Sequence, residues 1–484
     1  MNQYTKFYID GEWVDPIRSR GRFELVNPAT EQAFTSISLG DEQDVDSAVQ
    51  AARKAFPAFS ATSRAERIAL LTRIAEIMQS REGELMEVAA QEMGTPVSAV
   101  SHVRASVEQF RQGAAVLETY EFERMLGANV IRREPIGVCG LISPWNWPIQ
   151  TICTKLSSAL AAGCTVVAKP SEYTAVSAIL ITEVLHEAGV PRGVFNLLNG
   201  GGADVGHAIS AHPDVDMVSF TGSTRAGILV AQAAAPTVKR VCQELGGKSA
   251  HIILPDADLE AAARFTIARG FANSGQSCHA PTRVLVHESQ AERVLQRMAA
   301  EAQKLVVGEP KDLATNLGPV VNRAQFERIQ RYIRQGIEEG ARLVCGGPGR
   351  PPGLERGYYV KPTVFADVRP DMTIAQEEIF GPVLGVITYR TVEEAVDIAN
   401  ATKYGLGGYV FASTPEKARA VGERLRAGRI FINGAGGNVA APMGGYKQSG
   451  NGREMGVFGL EEYLEVKAMI GCDTPALSNA SATT

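Results

Sequence analysis

The stretch TVVAKPSEYTAVSAILITEVLHEAGVPRGVFNLLN, residues 165 to 199, decides the fold class. Its two ends, TVVAKP and GVFNLLN, are short and rich in β-branched residues, as strands are. Between them AVSAILITEVLHEAG reads as a helix. Strand, helix, strand in this rhythm predicts parallel strands joined by a crossover helix. The rhythm extends from about residue 137 to 255. GVCGLIS, VDMVSFTG, RVCQEL and SAHIIL add strands, and IQTICTKLSSALAAG and RAGILVAQAAAPT add helices.

A second alternation follows. DLEAAARFTIARGFANSG and QAERVLQRMAAEAQKLVVG flank the strand TRVLVHE. YYVKPTVFADV, GPVLGVITYR, VEEAVDIANAT, GYVFAS and PEKARAVGERLRAG continue it. Two such units predict two α/β domains with a cleft between them. Upstream, KFYIDGEWVD alternates around Asp-Gly and reads as a hairpin. Residues 45 to 120 are helical in pattern, and ANVIRREPIGVCGLIS is extended. CGGPGRPPGLERG reads as an exposed loop and DTPALSNASATT as a frayed polar tail. No internal repeat is visible.

The chain has 484 residues, 45% hydrophobic and 21% charged, the composition of a globular protein with a large core. Its net charge of −5 and the lack of any Lys/Arg block argue against nucleic acid or an anionic membrane as partner. No basic-then-apolar leader opens the chain and no apolar run reaches about 18 residues, so neither a signal peptide nor a membrane span is expected. The seven cysteines form no CxxC pair and are odd in number, against a disulfide framework or a zinc site. A reducing, cytoplasmic setting without a metal is expected.

Several short segments are suited to chemistry. In GQSCHAPTR, residues 275–283, Cys278 follows a helical run among small and polar neighbours, unlike a core strand. A loop there suits a presented nucleophile, although a free thiol, with a pKa near 8.5, needs activation. His279 adjoins it, but neighbouring side chains on an extended loop diverge, which speaks against a local Cys–His dyad. In QELGGKSAHII, Glu244 ends a β-type run before a Gly-Gly turn; it is either a solvated strand exit or a base at the carboxyl edge of a parallel strand. SPWNWP stiffens a turn around Asn146, whose amide is suited to a developing oxyanion. VVAKPSE ends a strand with Lys169 and Glu172, suited to ribose or phosphate. FTGSTRAG is a strand–glycine–helix turn that can offer N–H groups to a pyrophosphate. EEIFGPV places Glu378 and Phe380 before a Gly-Pro turn. PMGGYKQSGNGREMG is a glycine-rich loop with Arg453 and Glu454, either a surface loop or a cleft wall.

In this order, from about residue 6 to 470, PWNWP, KPSE, FTGS, ELGGK, GQSC, EEIFGPV and GGYKQSG resemble the NAD(P)-dependent aldehyde dehydrogenase superfamily, of the hydrolytic type. The resemblance implies a Rossmann-type cofactor domain (1–116 and 137–247), an α/β catalytic domain (248–446) and a small β oligomerisation flap (117–136 and 462–474). It implies Cys278 as nucleophile, Asn146 as oxyanion donor, Glu244 as base for hydrolysis of a thioester, and Lys169 and Glu454 in proton relay. NAD would be held by Ile142, Trp145, Lys169, Ser171, Glu172, Gly222, Ser223, Gly246, Glu378 and Phe380. Glu172 favours NAD over NADP because a carboxylate repels a 2′-phosphate. Met443 stands where many members have the Phe of PFGG, and GAGGNVAAP holds no aromatic residue. A polar tunnel faced by Trp147, Thr151, Thr154, Ser277, His279, Asn438 and Met443 is therefore expected for the aldehyde. The open terminal strand YLEVKAMI invites pairing into a homodimer or homotetramer. The rivals are a coenzyme A-dependent acylating relative, a binding or structural protein on the same scaffold, and a cysteine hydrolase.

Overall fold

A computed structural model describes residues 3–99 and 101–472; the tail DTPALSNASATT lies outside them. The stretch 165–199 folds as read. Thr165–Lys169 and Phe195–Leu197 are parallel neighbours, and the helix Ala175–Glu187 crosses between them. Every residue of Thr165–Lys169 is buried, as expected of a strand covered on both faces.

These strands belong to an eight-stranded sheet. Its order is Gly450–Asn451, Arg240–Glu244, Met217–Thr221, Val138–Ile142, Thr165–Lys169, Phe195–Leu197, Phe7–Ile9, Glu12–Val14. The five strands from Arg240–Glu244 to Phe195–Leu197 are parallel, and the outer ones antiparallel. Phe7–Ile9 and Glu12–Val14 form the expected hairpin, with Asp10 and Gly11 both at positive φ (49° and 79°), as a two-residue primed turn requires.

The second sheet has seven strands: Arg342–Cys345, Thr363–Ala366, Val383–Tyr389, Arg283–His287, Ala250–Ile253, Gly407–Phe411, Arg429–Ile432. All but Arg342–Cys345 run parallel. RVCQEL and SAHIIL, read as one alternation, thus part company. The link 245–249 carries the chain from the first sheet to the second, and the site forms around this crossing.

Several elements are faint in the sequence, among them one helix and one small sheet. The helix Arg323–Glu338 is largely polar, although Asn322 caps it and Phe326, Ile329 and Ile333 recur at helical spacing. Arg22–Asn27 and Gln32–Ser38 form a small sheet with Gln3–Tyr4; only Leu25 is buried in Arg22–Asn27, so its alternation is faint. Leu464–Met469 joins Asn129–Pro135 and Glu123–Leu126 in a third, antiparallel sheet. Met125, Leu126 and Val466 are exposed on it. No helix among the described residues is long and apolar enough to cross a membrane.

Candidate active site

The first sheet presents its carboxyl edge to a cavity of about 510 Å³. Glu244 is the last residue of Arg240–Glu244, and the loop after Val138–Ile142 carries Trp145, Asn146 and Trp147. Pro148 opens the next helix, where a missing N–H costs nothing, and Gly163 at φ 92° closes it. The second sheet meets the same cavity from the opposite ends of its strands. Cys278 lies just before Arg283–His287, and Arg429 begins Arg429–Ile432.

Cys278 is held by a turn in which Asn273, Ser274 and Gly275 are all left-handed (φ 55°, 55°, 73°). A non-glycine residue in that region costs about 1 kcal/mol or more, so the turn needs compensating bonds. Asn273 Nδ2 donates to the Asn146 carbonyl (2.7 Å), and Ser274 Oγ donates to the Gly318 carbonyl (2.7 Å). The Val321 N–H donates to Gln276 Oε1 (3.0 Å). Gly275 is obligatory: a Cβ there would lie 2.1 Å from the Gly381 carbonyl oxygen. The Gly-Gly pair after Glu244 serves the same end. A Cβ on Gly247 would sit 2.2 Å from the Cys278 carbonyl oxygen, and one on Gly246 would sit 2.5 Å from Glu378 Oε2.

Asn146, 5% exposed, gives one N–H of its amide to the Gln276 carbonyl (3.1 Å) and keeps the other for the cavity. Burial pushes the Cys278 thiol up to about 12, helped by the Glu378 and Glu244 carboxylates; the backbone N–H groups of Cys278 and His279 pull the other way. Glu244 is 2% exposed, and neither of its oxygens has a hydrogen-bond partner. Burial, then the neighbouring Glu454, raises its pKa well above the usual carboxylate value, with Lys155 opposing. A carboxyl group held that way is better matched to taking a proton near neutral pH.

Lys155 escaped the sequence reading. It is buried on the helix Pro148–Ala162, where its Nζ donates to Glu454 Oε1 (2.5 Å) and Ser219 Oγ (3.0 Å). Its being the only charged residue of that helix was the available signal. Glu454 arrives on the glycine-rich loop, fixed where its N–H and carbonyl pair with Met443.

At one end of the cavity Trp145 and Phe380 meet edge to face (5.3 Å, 88°). Glu378 accepts a hydrogen bond from the Gly247 N–H (2.9 Å), and burial pushes its carboxyl up to about 7. Gln325 and Arg328, also unread, brace this loop from the helix Arg323–Glu338 through the Phe380 and Glu378 carbonyls (both 2.7 Å). Gly222, Ser223 and Gly246 line the same end, with Ser223 capping the helix Thr224–Ala234. A helix N-terminus, a buried carboxylate and an aromatic pair match the donor set a dinucleotide needs.

At the other end are Trp147, Thr151, Thr154, His279, Asn438 and Met443, joined by Arg269 and Arg429. The Thr151 and Thr154 hydroxyls donate to the Trp147 and Gln150 carbonyls (3.0 and 2.8 Å), leaving them as acceptors. Arg269 Nη2 is 2.7 Å from His279 Nε2. A guanidinium only donates, so Nε2 accepts and the ring proton sits on Nδ1, 3.8 Å from Cys278 Sγ. His279 therefore faces the sulfur as a donor, not as its base, and the local dyad is set aside. Arg269 and Arg429 had no signal in their own sequence surroundings.

Five of the expected residues do not line this cavity. Ser277 is turned to Trp147, whose Nε1 donates to its hydroxyl (3.2 Å). Ile142, Lys169, Ser171 and Glu172 stand farther along the carboxyl edge, with Ile142 paired in register with Lys169. Lys169 Nζ donates to the Pro170 and Gly200 carbonyls (2.6 and 2.8 Å) and lies 3.8 Å from Glu172 Oε2.

The sequence pattern of the aldehyde dehydrogenase family matches residues 13–469. A 3-succinoylsemialdehyde-pyridine dehydrogenase of Pseudomonas sp. is 51% identical over 474 residues, 97% of this chain and 99% of its own. A cysteine-to-alanine mutant of aldehyde dehydrogenase C from Pseudomonas syringae, solved with NAD+ and octanal, superposes with a TM-score of 0.96 at 52% identity, covering 98% of each chain. An aldehyde dehydrogenase from Bacillus cereus in complex with NAD+ superposes at 0.93 with 40% identity, covering 96% of each.

Proposed function

The chain belongs to the aldehyde dehydrogenase family, and from that premise we propose which of its residues carry the NAD-dependent oxidation of an aldehyde. Cys278 gives its proton to the Glu244 carboxylate, which passes it on toward Glu454, and its sulfur bonds to the aldehyde carbon. The resulting oxyanion is received by the free N–H of the Asn146 amide and the Cys278 backbone N–H. NAD, when bound, accepts the hydride that this carbon loses, which oxidises it to a thioester on Cys278. Glu244 then takes a proton from water, the hydroxide adds, and the C–S bond breaks to release the carboxylic acid. Glu454 and Lys155 carry the proton away from Glu244. The net change is aldehyde, NAD+ and water to acid, NADH and a proton.

The observation that carries this reading is the opening of Asn146, Glu244 and Cys278 onto one cavity, although 98 positions separate the first two and 34 the last two. Glu378 and Phe380 would hold the nicotinamide ribose and ring, Ser223 and Gly222 the pyrophosphate, and Lys169, Ser171 and Glu172 the adenine ribose. The intact Glu244 favours hydrolysis over transfer to coenzyme A. We assign 1–116 with 137–247 to cofactor binding, 248–446 to catalysis, and 117–136 with 462–474 to subunit pairing in a cytoplasmic homodimer or homotetramer.

The polar lining favours an aldehyde with a functionalised tail, in keeping with the name of the Pseudomonas sp. relative more than with octanal. NADH absorbance with short, long, aromatic and semialdehyde substrates tests the reading. Oxidation by the wild type that is lost in Cys278→Ala supports it; undiminished oxidation by that variant overturns it. Acyl-CoA formed on adding coenzyme A would replace hydrolysis by the acylating reaction.

A further inference from the structure

Arg269 and Arg429 both line the cavity, and their guanidinium carbons lie 5.9 and 6.0 Å from the centroid of one ring, Phe431. Among the described residues no carboxylate lies within salt-bridge distance of either. Their protein partners are neutral. Arg269 has the acceptor nitrogen of His279 (2.7 Å) and the Tyr409 phenol; Arg429 has the Asn438 and Ala441 carbonyls (2.7 and 3.0 Å) and the Met455 sulfur (3.8 Å). Glu244 acts on Arg429 only at a distance, and the reaction uses that carboxylate elsewhere.

Two like charges around one phenyl ring repel each other, and their partial burial weakens solvent screening. Phe431 offsets part of this, since a cation over a ring gains about 0.5–2 kcal/mol. His279 offers no counter-charge: burial, then Arg269 and Arg429, holds its pKa well below the usual value. Such a pair is completed by an anion, and a guanidinium fork matches a carboxylate in particular. The position sets the length of the ligand. Arg269 is one imidazole away from the sulfur, through the 2.7 Å and 3.8 Å contacts of His279.

We propose that Arg269 and Arg429 form an anion subsite, and that the preferred substrate is a short aldehyde with a carboxylate at its far end, the semialdehyde of a dicarboxylic acid. This rests on Cys278-dependent aldehyde oxidation and deepens it. An arginine pair at this place discriminates by charge, because a neutral tail leaves both guanidinium groups without a counter-charge in a half-buried wall.

The test compares kcat/KM for 4-oxobutanoate with that for its methyl ester, nearly isosteric and uncharged, in wild type, Arg269→Gln and Arg429→Lys. A ratio within each enzyme cancels any loss common to both substrates. The expected wild-type ratio favours the acid at least tenfold. It falls at least tenfold in Arg269→Gln and less in Arg429→Lys, which keeps its charge; rising salt lowers it in the wild type. A wild-type ratio near or below one, or a ratio unchanged in Arg269→Gln, overturns the subsite while leaving aldehyde oxidation in place. Absence of NADH formation from every aldehyde overturns both.

Discussion

Replacing Lys155 by Met and Glu454 by Gln should move the same pH profile in opposite directions. Of the charges around Glu244, the Glu454 carboxylate raises its pKa most and the Lys155 ammonium lowers it most, with Glu462 and Arg453 acting in the same two directions. In the proposed hydrolysis Glu244 is a base and works deprotonated, so turnover is lost as pH falls through its pKa. Lys155→Met removes the favourable charge, raises that pKa further and moves the acidic limb of kcat to higher pH. Glu454→Gln removes the repulsive charge and moves the limb to lower pH. The stability consequence is larger and separable. At the 2.5 Å separation of Lys155 Nζ and Glu454 Oε1, Coulomb's law gives about 7 kcal/mol at an effective dielectric constant near 20. Desolvation of both ions takes back much of this, and breaking such a pair from one side costs about 3–5 kcal/mol. Lys155→Met should therefore lower urea stability by about that amount, and the double variant Lys155→Met/Glu454→Met should recover most of it, because removing both charges leaves neither stranded. The assays are kcat against pH with a saturating aldehyde and urea unfolding of the four corners of the cycle. Limbs that move in the same direction, or a coupling below about 1 kcal/mol, would refute this account of the site.

Three further outcomes follow from the geometry. With its pKa raised to about 12, Cys278 should react with iodoacetamide more slowly than a free thiol; about 3.5 units of pKa, less the gain in intrinsic nucleophilicity, leaves about a hundredfold at pH 7.5. The rate should climb log-linearly with pH, read by mass spectrometry at Cys278, and a plateau below pH 8 would contradict the burial argument. Glu172→Gln should raise kcat/KM with NADP relative to NAD by about tenfold, since the proposed ribose site then lacks the carboxylate that would repel a 2′-phosphate; an unchanged ratio removes Glu172 from cofactor choice. Gly247→Ala should cost at least a hundredfold in kcat/KM, because its Cβ meets the Cys278 carbonyl oxygen at 2.2 Å and displacements near 1 Å at a reacting centre cost about that much; near-normal kinetics would show that the turn adapts.

The alternation that made residues 165–199 a strand–helix–strand unit was legible because periodicity and burial are local properties of a chain. Lys169, Glu172, Glu244 and Cys278 were legible as candidates for a related reason: each closes or follows an element, beside glycines or prolines that shape a turn. The tertiary structure alone decided what met what. It sent Arg240–Glu244 and Ala250–Ile253 to different sheets, and so set Glu244 and Cys278 on facing walls. It brought Lys155 to Glu454 across 299 positions, and Arg269 to His279 from a helix whose own pattern speaks only of packing. A charged side chain looks the same in sequence whether solvated or buried. Its chemistry is set by which distant groups exclude water from it and which charges remain near it, and the order of strands in the two sheets determines both.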